Sequence, residues 1–217
     1  MTWPTCPTWS KKTAQTKRWG SYYNGIMAGI TISRQMGSLG RQVATETAQK
    51  LGFKLVWRDL INEAAIRAGV PEVALATIDE SGIMGLKPSR SAQQAYHQAV
   101  KQVLKELAEE GNVVIIGRAG QVILQDVKDF LHVRIVAPKP LRVKRVMEEK
   151  KLSLEVAQTM VETSDRNRTV YLRRYYHVDV DDPLLYDLVI NTQDLAATDA
   201  AEIICAAFFR HTHEKRD

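Results

Sequence analysis

The residues of this chain best suited to chemistry are arginines and glycines. The segment SRQMGSLGRQ at 33–42 sets Arg34 and Arg41 around Gly37, Ser38 and Gly40, with Gln42 at its end. Small residues leave backbone amides free to point at an anion, and a helix start just beyond adds the positive end of its dipole. Arginine contributes charge and a planar pair of donors that suits phosphate oxygens. The spacing departs from the standard phosphate loop, GxxxxGK[ST]. If Gly40 is the second glycine, Gln35 stands where the first belongs, Arg41 replaces the lysine and Gln42 replaces the hydroxyl residue. An ordinary glycine-bearing turn is the other reading of this segment.

A second supply of charge lies between 134 and 174, where eleven basic side chains face five acidic ones. On a helix Arg166, Val170 and Arg173 share one face, and Arg168 lies on a neighbouring one. A solvated basic face, balanced by Asp179, Asp181, Asp182 and Asp187, is the plain alternative to a phosphate-binding role. Arg118 follows Gly117 directly after the apolar run VVII at 113–116, and a structural ion pair is its alternative. His97, His177, His211 and His213 form no metal-ligand spacing. His132 alternates with apolar residues and reads as structural. No serine–histidine–acid set and no metal site can be assigned.

These residues need elements to position them. Short apolar runs at 29–33, 53–56, 113–116, 131–136 and 187–190 read as strands. Helical periodicity predicts a helix from 43 to a stop at Gly52, one near 59–68, and a long one carrying Val100, Val103, Leu104 and Leu107 up to Gly111. Further helices are expected at 119–125, 139–150, 153–176 and 198–209. Strands alternating with helices predict an α/β fold: a five-stranded parallel sheet with helices on both faces. Right-handed crossovers collect the strand-to-helix loops at one sheet edge, where such folds bind ligands. The glycine-bearing turn, Gly117–Arg118 and Asn191–Thr192 all fall at that edge.

Composition narrows the class of partner. The chain has 217 residues with 30 basic and 25 acidic side chains, a net of +5. Residues 1–28 hold four basic and no acidic residues, so the remainder, with 26 against 25, nets only +1. That distribution argues against a polyanion such as nucleic acid as partner of the fold. The 1–28 segment, with Trp3, Trp9 and Trp19 and no periodicity, reads as a flexible basic tail, or as an arm that touches nucleic acid or anionic lipid. Met27, just before the first strand, is an alternative start. A domain is expected over 29–210, followed by a short tail at 211–217. The tail lacks the apolar core of a secretory signal, no run of 18 apolar residues exists, and Cys6 and Cys205 form no redox pair. A cytoplasmic setting without membrane contact is expected, and the oligomeric state is left open.

The sequence resembles the cytidylate kinase-like family. The resemblance rests on ITISRQMGSLGR at 30–41, VIIGR at 114–118, LS at 152–153 through DRNR at 165–168, and YDLVINT at 186–192, and spans roughly 29–209. It implies a nucleoside monophosphate kinase fold with a helical lid at about 150–180, small nucleotides as partners, ATP as donor, Mg²⁺ as cofactor, and CMP or dCMP as acceptor. Gly37, Ser38, Gly40 and Arg41, with Arg34 and Gln42, would then cradle the donor phosphates. Arg118 and Gly117 would meet the acceptor or the transferred group, Arg58 and Asp59 the acceptor, and Asn191 and Thr192 the donor base. Arg166, Arg168 and Arg173 would form the lid. Aligned without gaps on cytidylate kinases, Arg34 falls on the first loop glycine, Gly40 on the lysine, and Ala119 on an aspartate. That loss favours the alternative reading, a non-catalytic nucleotide-binding or sensing module that keeps the fold.

Overall fold

A computed structural model describes residues 28–57, 62, 66 and 90–213. Arg58, Asp59, most of the helix expected near 59–68, residues 1–27 and residues 214–217 lie outside the described residues. Ala28, the last residue of the expected tail, is fully buried and belongs to the packed fold.

The chain runs β1 (Gly29–Arg34), α1 (Gly40–Leu51), β2 (Lys54–Val56), α2 (Arg90–Glu110), β3 (Val113–Ile116), α3 (Gly120–Ile123) and β4 (Phe130–Val136). It continues through α4 (Lys139–Lys150), α5 (Leu154–Tyr176), a 3₁₀ turn (Pro183–Leu185), β5 (Leu188–Asn191) and α6 (Ala197–His213). All strand pairs are parallel, in the order β2-β3-β1-β4-β5. The expected α/β architecture is therefore present. Parallel neighbours cannot be joined by tight turns, and each crossover carries a helix onto one face. Because β3 and β4 flank β1, the chain order switches at β1, and a crevice opens beyond its carboxyl end.

Alternation along the strands sorts residues to two faces. Ile30, Ile32, Val114, Ile116, Leu131, Val133 and Ile135 pack with α1 and α6 in one apolar layer. On the other face Val113, Ile115 and Phe130 meet α2, α3 and the carboxyl half of α5. Beside them that face carries buried polar groups: Thr31 and His132 share a 2.7 Å hydrogen bond, and Arg134 donates to Ser33 Oγ at 3.1 Å. Arg134 also pairs with Asp181 at 2.7 Å, so its charge leaves the core compensated.

Local signals account for the helix ends. Gly52 closes α1 in the left-handed region at φ 70°. Ser153 caps α5 by accepting from the Val156 amide. α6 runs on to His213, so the tail expected from 211 is in part helix. Thr212 is buried there and its hydroxyl donates to Phe208 O at 3.0 Å, which holds the last turn.

α4 and α5 pack through Val143, Val146, Ala157 and Val161, but their alignment depends on Arg142. Its guanidinium meets both oxygens of Asp165 at 3.1 and 2.8 Å and donates from Nε to Ala137 O at 3.0 Å. Arg142→Ala should strand a partly buried carboxylate and cost about 2–4 kcal/mol, read as a lowered urea-unfolding midpoint.

Candidate functional site

The loop after β1 is built by hydrogen bonds that leave its cleft-facing edge open. Gln35 N donates to Ile135 O at 3.1 Å, and the Ser38 hydroxyl donates to Gln35 O at 2.9 Å and Ile135 O at 3.1 Å. Ser38 is thus fully buried and anchors the loop to β4; its hydroxyl does not face the cleft, contrary to the expected phosphate contact. Leu39 takes the left-handed conformation at φ 61° and enters α1 without a side-chain cap or an acidic residue in the first turn. Uncapped amides there favour an anion.

Two glycines of this loop are set by close approach. A Cβ on Gly37, at φ 78°, would lie 2.5 Å from Arg142 O, so the loop rests on the first turns of α4. A Cβ on Gly40 would lie 2.4 Å from the Cβ of Arg34.

Beyond the loop is a cleft of about 290 Å³ lined by Arg34, Gly37, Gly40, Arg41, Gln42, Arg145, Glu149 and Arg168, among others. It unites five of the loop residues singled out in the sequence with one arginine of α5. Four guanidinium groups against one carboxylate give it a positive field, and a partly desolvated setting strengthens that field. Arg41 is exposed, and its guanidinium lies 4.5 Å from the Trp57 ring centroid, a cation–π stack at the rim. Arg145 donates to Thr192 O at 2.8 Å and to Thr192 Oγ1 at 3.3 Å.

Other expected site residues fall elsewhere. Thr192 is fully buried and donates to Ser38 O at 2.9 Å, so it latches β5 to the loop instead of facing the cleft. Asn191 accepts from the Gln193 amide at 3.0 Å in an exposed turn. Arg166 and Arg173 lie on the solvent face of α5, and Arg173 pairs with Asp179 at 2.8 Å. Arg168 lies on the opposite, inward face with Ala157, Val161, Ser164 and Leu172. The arginine that shared the apolar spacing was therefore the one aimed inward. Arg145, on α4, also reaches the cleft and was not singled out in the sequence.

Gly117, Arg118 and Ala119 all adopt positive φ, at 78°, 53° and 56°, making a tight turn out of β3. Arg118 is buried, donates to Asn62 Oδ1 at 2.8 Å and lies 5.8 Å over Tyr96. It does not line the cleft of the loop arginines. Beside it His97 stacks on Tyr175 at 4.2 Å between ring centroids. Burial, and then the charge of Arg118, lower the His97 pKa to about 4, so this imidazole is neutral near pH 7. Among the described residues no group of three or more His, Cys, Asp or Glu side chains could hold a metal ion, and no helix is long and apolar enough to cross a membrane.

Comparison with solved structures places the fold among the P-loop kinases. A shikimate kinase from Acinetobacter baumannii aligns with a TM-score of 0.51 at 14% identity, over 91% of this chain and 98% of that one. An uncharacterized protein from Eubacterium ventriosum aligns with a TM-score of 0.68 at 24% identity, over 84% and 98%. Residues 29–194 match the profile of the cytidylate kinase-like family, and the chain belongs to that family. A cytidylate kinase from Pyrococcus horikoshii is 31% identical over 181 residues, 82% of this chain and 86% of that protein. A uronate isomerase from Corynebacterium glutamicum is 25% identical over 153 residues; these make up 70% of this chain but only 29% of that protein.

Two measurements check the geometry. Gly37→Ala should cost at least about 2 kcal/mol, from left-handed backbone strain and collision with α4, read as a lower unfolding midpoint. For His97, the unfolded chain takes up a proton near the ordinary 6.5 and the folded chain only near 4. Stability should therefore fall as pH drops through that window, and His97→Gln should flatten the fall while leaving the profile above pH 6.5 unchanged.

Proposed function

We propose that the protein is a phosphotransferase that moves the terminal phosphoryl group of ATP to a nucleoside monophosphate, with CMP or dCMP as acceptor. The observation that carries this reading is the cleft at the carboxyl end of β1, where arginines from the loop, α4 and α5 converge on one space. Phosphoryl transfer needs in-line placement and charge neutralisation more than a covalent group, and a monophosphate oxygen is already a nucleophile. Membership in the family and the name of the archaeal relative support the acceptor class.

In this reading the amides at the start of α1, with Gly37, Gly40 and Arg41, receive the donor phosphates, and Arg168 and Arg145 neutralise them from the facing helices. Arg118 meets the acceptor, the role the resemblance also implies for Arg58 and Asp59. α5 serves as the lid helix with Arg168 as its arginine toward the cleft, while Arg166 and Arg173 lie on its solvent face, Arg173 paired with Asp179. Mg²⁺ needs few protein ligands because it brings phosphate oxygens and water with it, and the cleft offers the Glu149 carboxylate with side-chain oxygens of Gln35, Gln42 and Ser164. There it would neutralise charge on the phosphates. A cytoplasmic setting, where both nucleotides occur, belongs to the same proposal.

One observation favours a second reading, a nucleotide sensor without turnover: among the described residues no lysine lines the cleft. Titration with ATP and the common monophosphates, followed by coupled ADP release, separates the two. Turnover greatest with CMP or dCMP supports the kinase, and binding without turnover for every acceptor supports the sensor. Arg168→Lys, which retains most of the stem, should lower kcat/KM with CMP about 10²-fold while leaving thermal stability near the parent.

A further inference from the structure

Two departures from the cytidylate kinase loop, noted separately in the sequence, meet in space. In the ungapped register of the resemblance, Arg34 falls on the first glycine of GxxxxGK[ST] and Gly40 on its lysine. A Cβ on Gly40 would lie 2.4 Å from the Arg34 Cβ and 2.9 Å from its Cγ. A side chain at 40 and the arginine at 34 therefore compete for one volume. Gly40 is not among the positive-φ residues, so its lack of a side chain answers to this neighbour and not to backbone strain.

The far end of Arg34 meets a second glycine. A Cβ on Gly117 would lie 3.2 Å from Arg34 Nη1. The arginine thus rises from the end of β1, passes under the first turn of α1, and brings its guanidinium over the turn that leaves β3. Its backbone is held by strand pairing to Ile135 on β4, so the stem starts from a rigid point. It lines the cleft with Arg145 and Arg168. Arg41, the alternative from the sequence, is exposed and stacked on Trp57 at the rim. Arg142 pairs with Asp165 and does not line the cleft.

We infer that Arg34 is the phosphate ligand that takes the place of the missing loop lysine, and that glycine and cation have exchanged positions while the charge has kept its place. The inference rests on the phosphotransferase reading for its catalytic consequence, but not for anion binding itself. Arg34 spans the donor loop and the Gly117–Arg118 turn, so its two-pronged guanidinium can hold the phosphoryl group between donor and acceptor. An oxygen of the acceptor monophosphate bonds to the terminal phosphorus of ATP as the bond from that phosphorus to the bridging oxygen breaks. ADP leaves with the electron pair. Arg34 remains cationic throughout and exchanges no proton.

The test uses the full chain in three arms. In the first, inorganic triphosphate is titrated into the parent, Arg34→Lys, Arg34→Gly and Arg41→Ala, with thermal unfolding of each. Arg34→Gly should weaken triphosphate at least about tenfold and Arg41→Ala much less, in line with loss of a charge-assisted bidentate contact. In the second, ADP release with CMP should fall about 10²-fold or more in Arg34→Gly, and the double variant R34G/G40K, which restores the ordinary glycine–lysine order, should recover turnover. In the third, Gly40→Ala should lower the unfolding midpoint of the parent but not of Arg34→Gly, since the colliding stem is then gone.

Parent-like triphosphate affinity and turnover in a folded Arg34→Gly, with loss in Arg41→Ala, would overturn the inference and leave the kinase reading intact. Absence of turnover in the parent with every acceptor would remove the kinase reading, while an Arg34-dependent triphosphate affinity would still support Arg34 as the phosphate ligand. Equal destabilisation by Gly40→Ala in both backgrounds would overturn the shared-volume argument. If Arg34→Gly fails to fold, Arg34→Lys decides, because it keeps the stem and the charge but loses the fork. Unchanged triphosphate affinity and turnover there would count against a bidentate role.

Discussion

The cleft depends on one buried guanidinium. From its place on α4, Arg142 ties together three other parts of the chain: the exit of β4 at Ala137, the loop carbonyl of Met36, and the Asp165 carboxylate on α5. Its backbone is also the surface on which Gly37 rests. A buried ion pair adds little net stability, since desolvation offsets much of the attraction. Its value lies in direction. Fixed donors demand acceptors at set positions, and only one arrangement of loop, α4 and α5 supplies them.

That arrangement explains why the basic charge of the fold does not act as one surface. Arg134 and Arg142 are buried and compensated, Arg145 and Arg168 reach the cleft, and Arg166 and Arg173 face solvent. The same composition spread over one exposed face would attract a polyanion. Confined to a cleft of about 290 Å³ beside the start of a helix, it suits a few phosphate groups. The two sheet faces divide the labour: one is sealed by α1 and α6, and the other carries Thr31, Ser33, His132 and Arg134 beside its apolar cluster.

Much of the scaffold could be read along the chain, because strand and helix periods are local properties. The five strands lie where apolar runs were bounded by turn residues, and α4 and the start of α5 follow Pro140 and the Ser153 cap. Only the last turn of the terminal helix extends beyond the expected 198–209, because that end is stabilised by a buried threonine, not by an apolar period. For the site, the loop, Arg34, Arg41 and Arg168 were visible as residue types. The face of α5 was misjudged because basic residues were matched with one another, when burial follows the apolar stripe that Arg168 shares. Ser38 and Thr192 were taken for ligand contacts, yet their hydroxyls satisfy backbone carbonyls inside the fold.

By itself the sequence determined the order of the elements, the parallel sheet, and a turn rich in glycine and arginine at its ligand-binding edge. These follow from periodicity, chirality and backbone freedom, each acting over a few residues. Only the tertiary structure decided which arginines share a space, because residues 34, 41, 145 and 168 belong to four separate elements. It also showed that Gly40 gives way to the stem of Arg34, whose tip reaches Gly117. Excluded volume between distant segments leaves no mark in local spacing, and so appears only once the chain has folded.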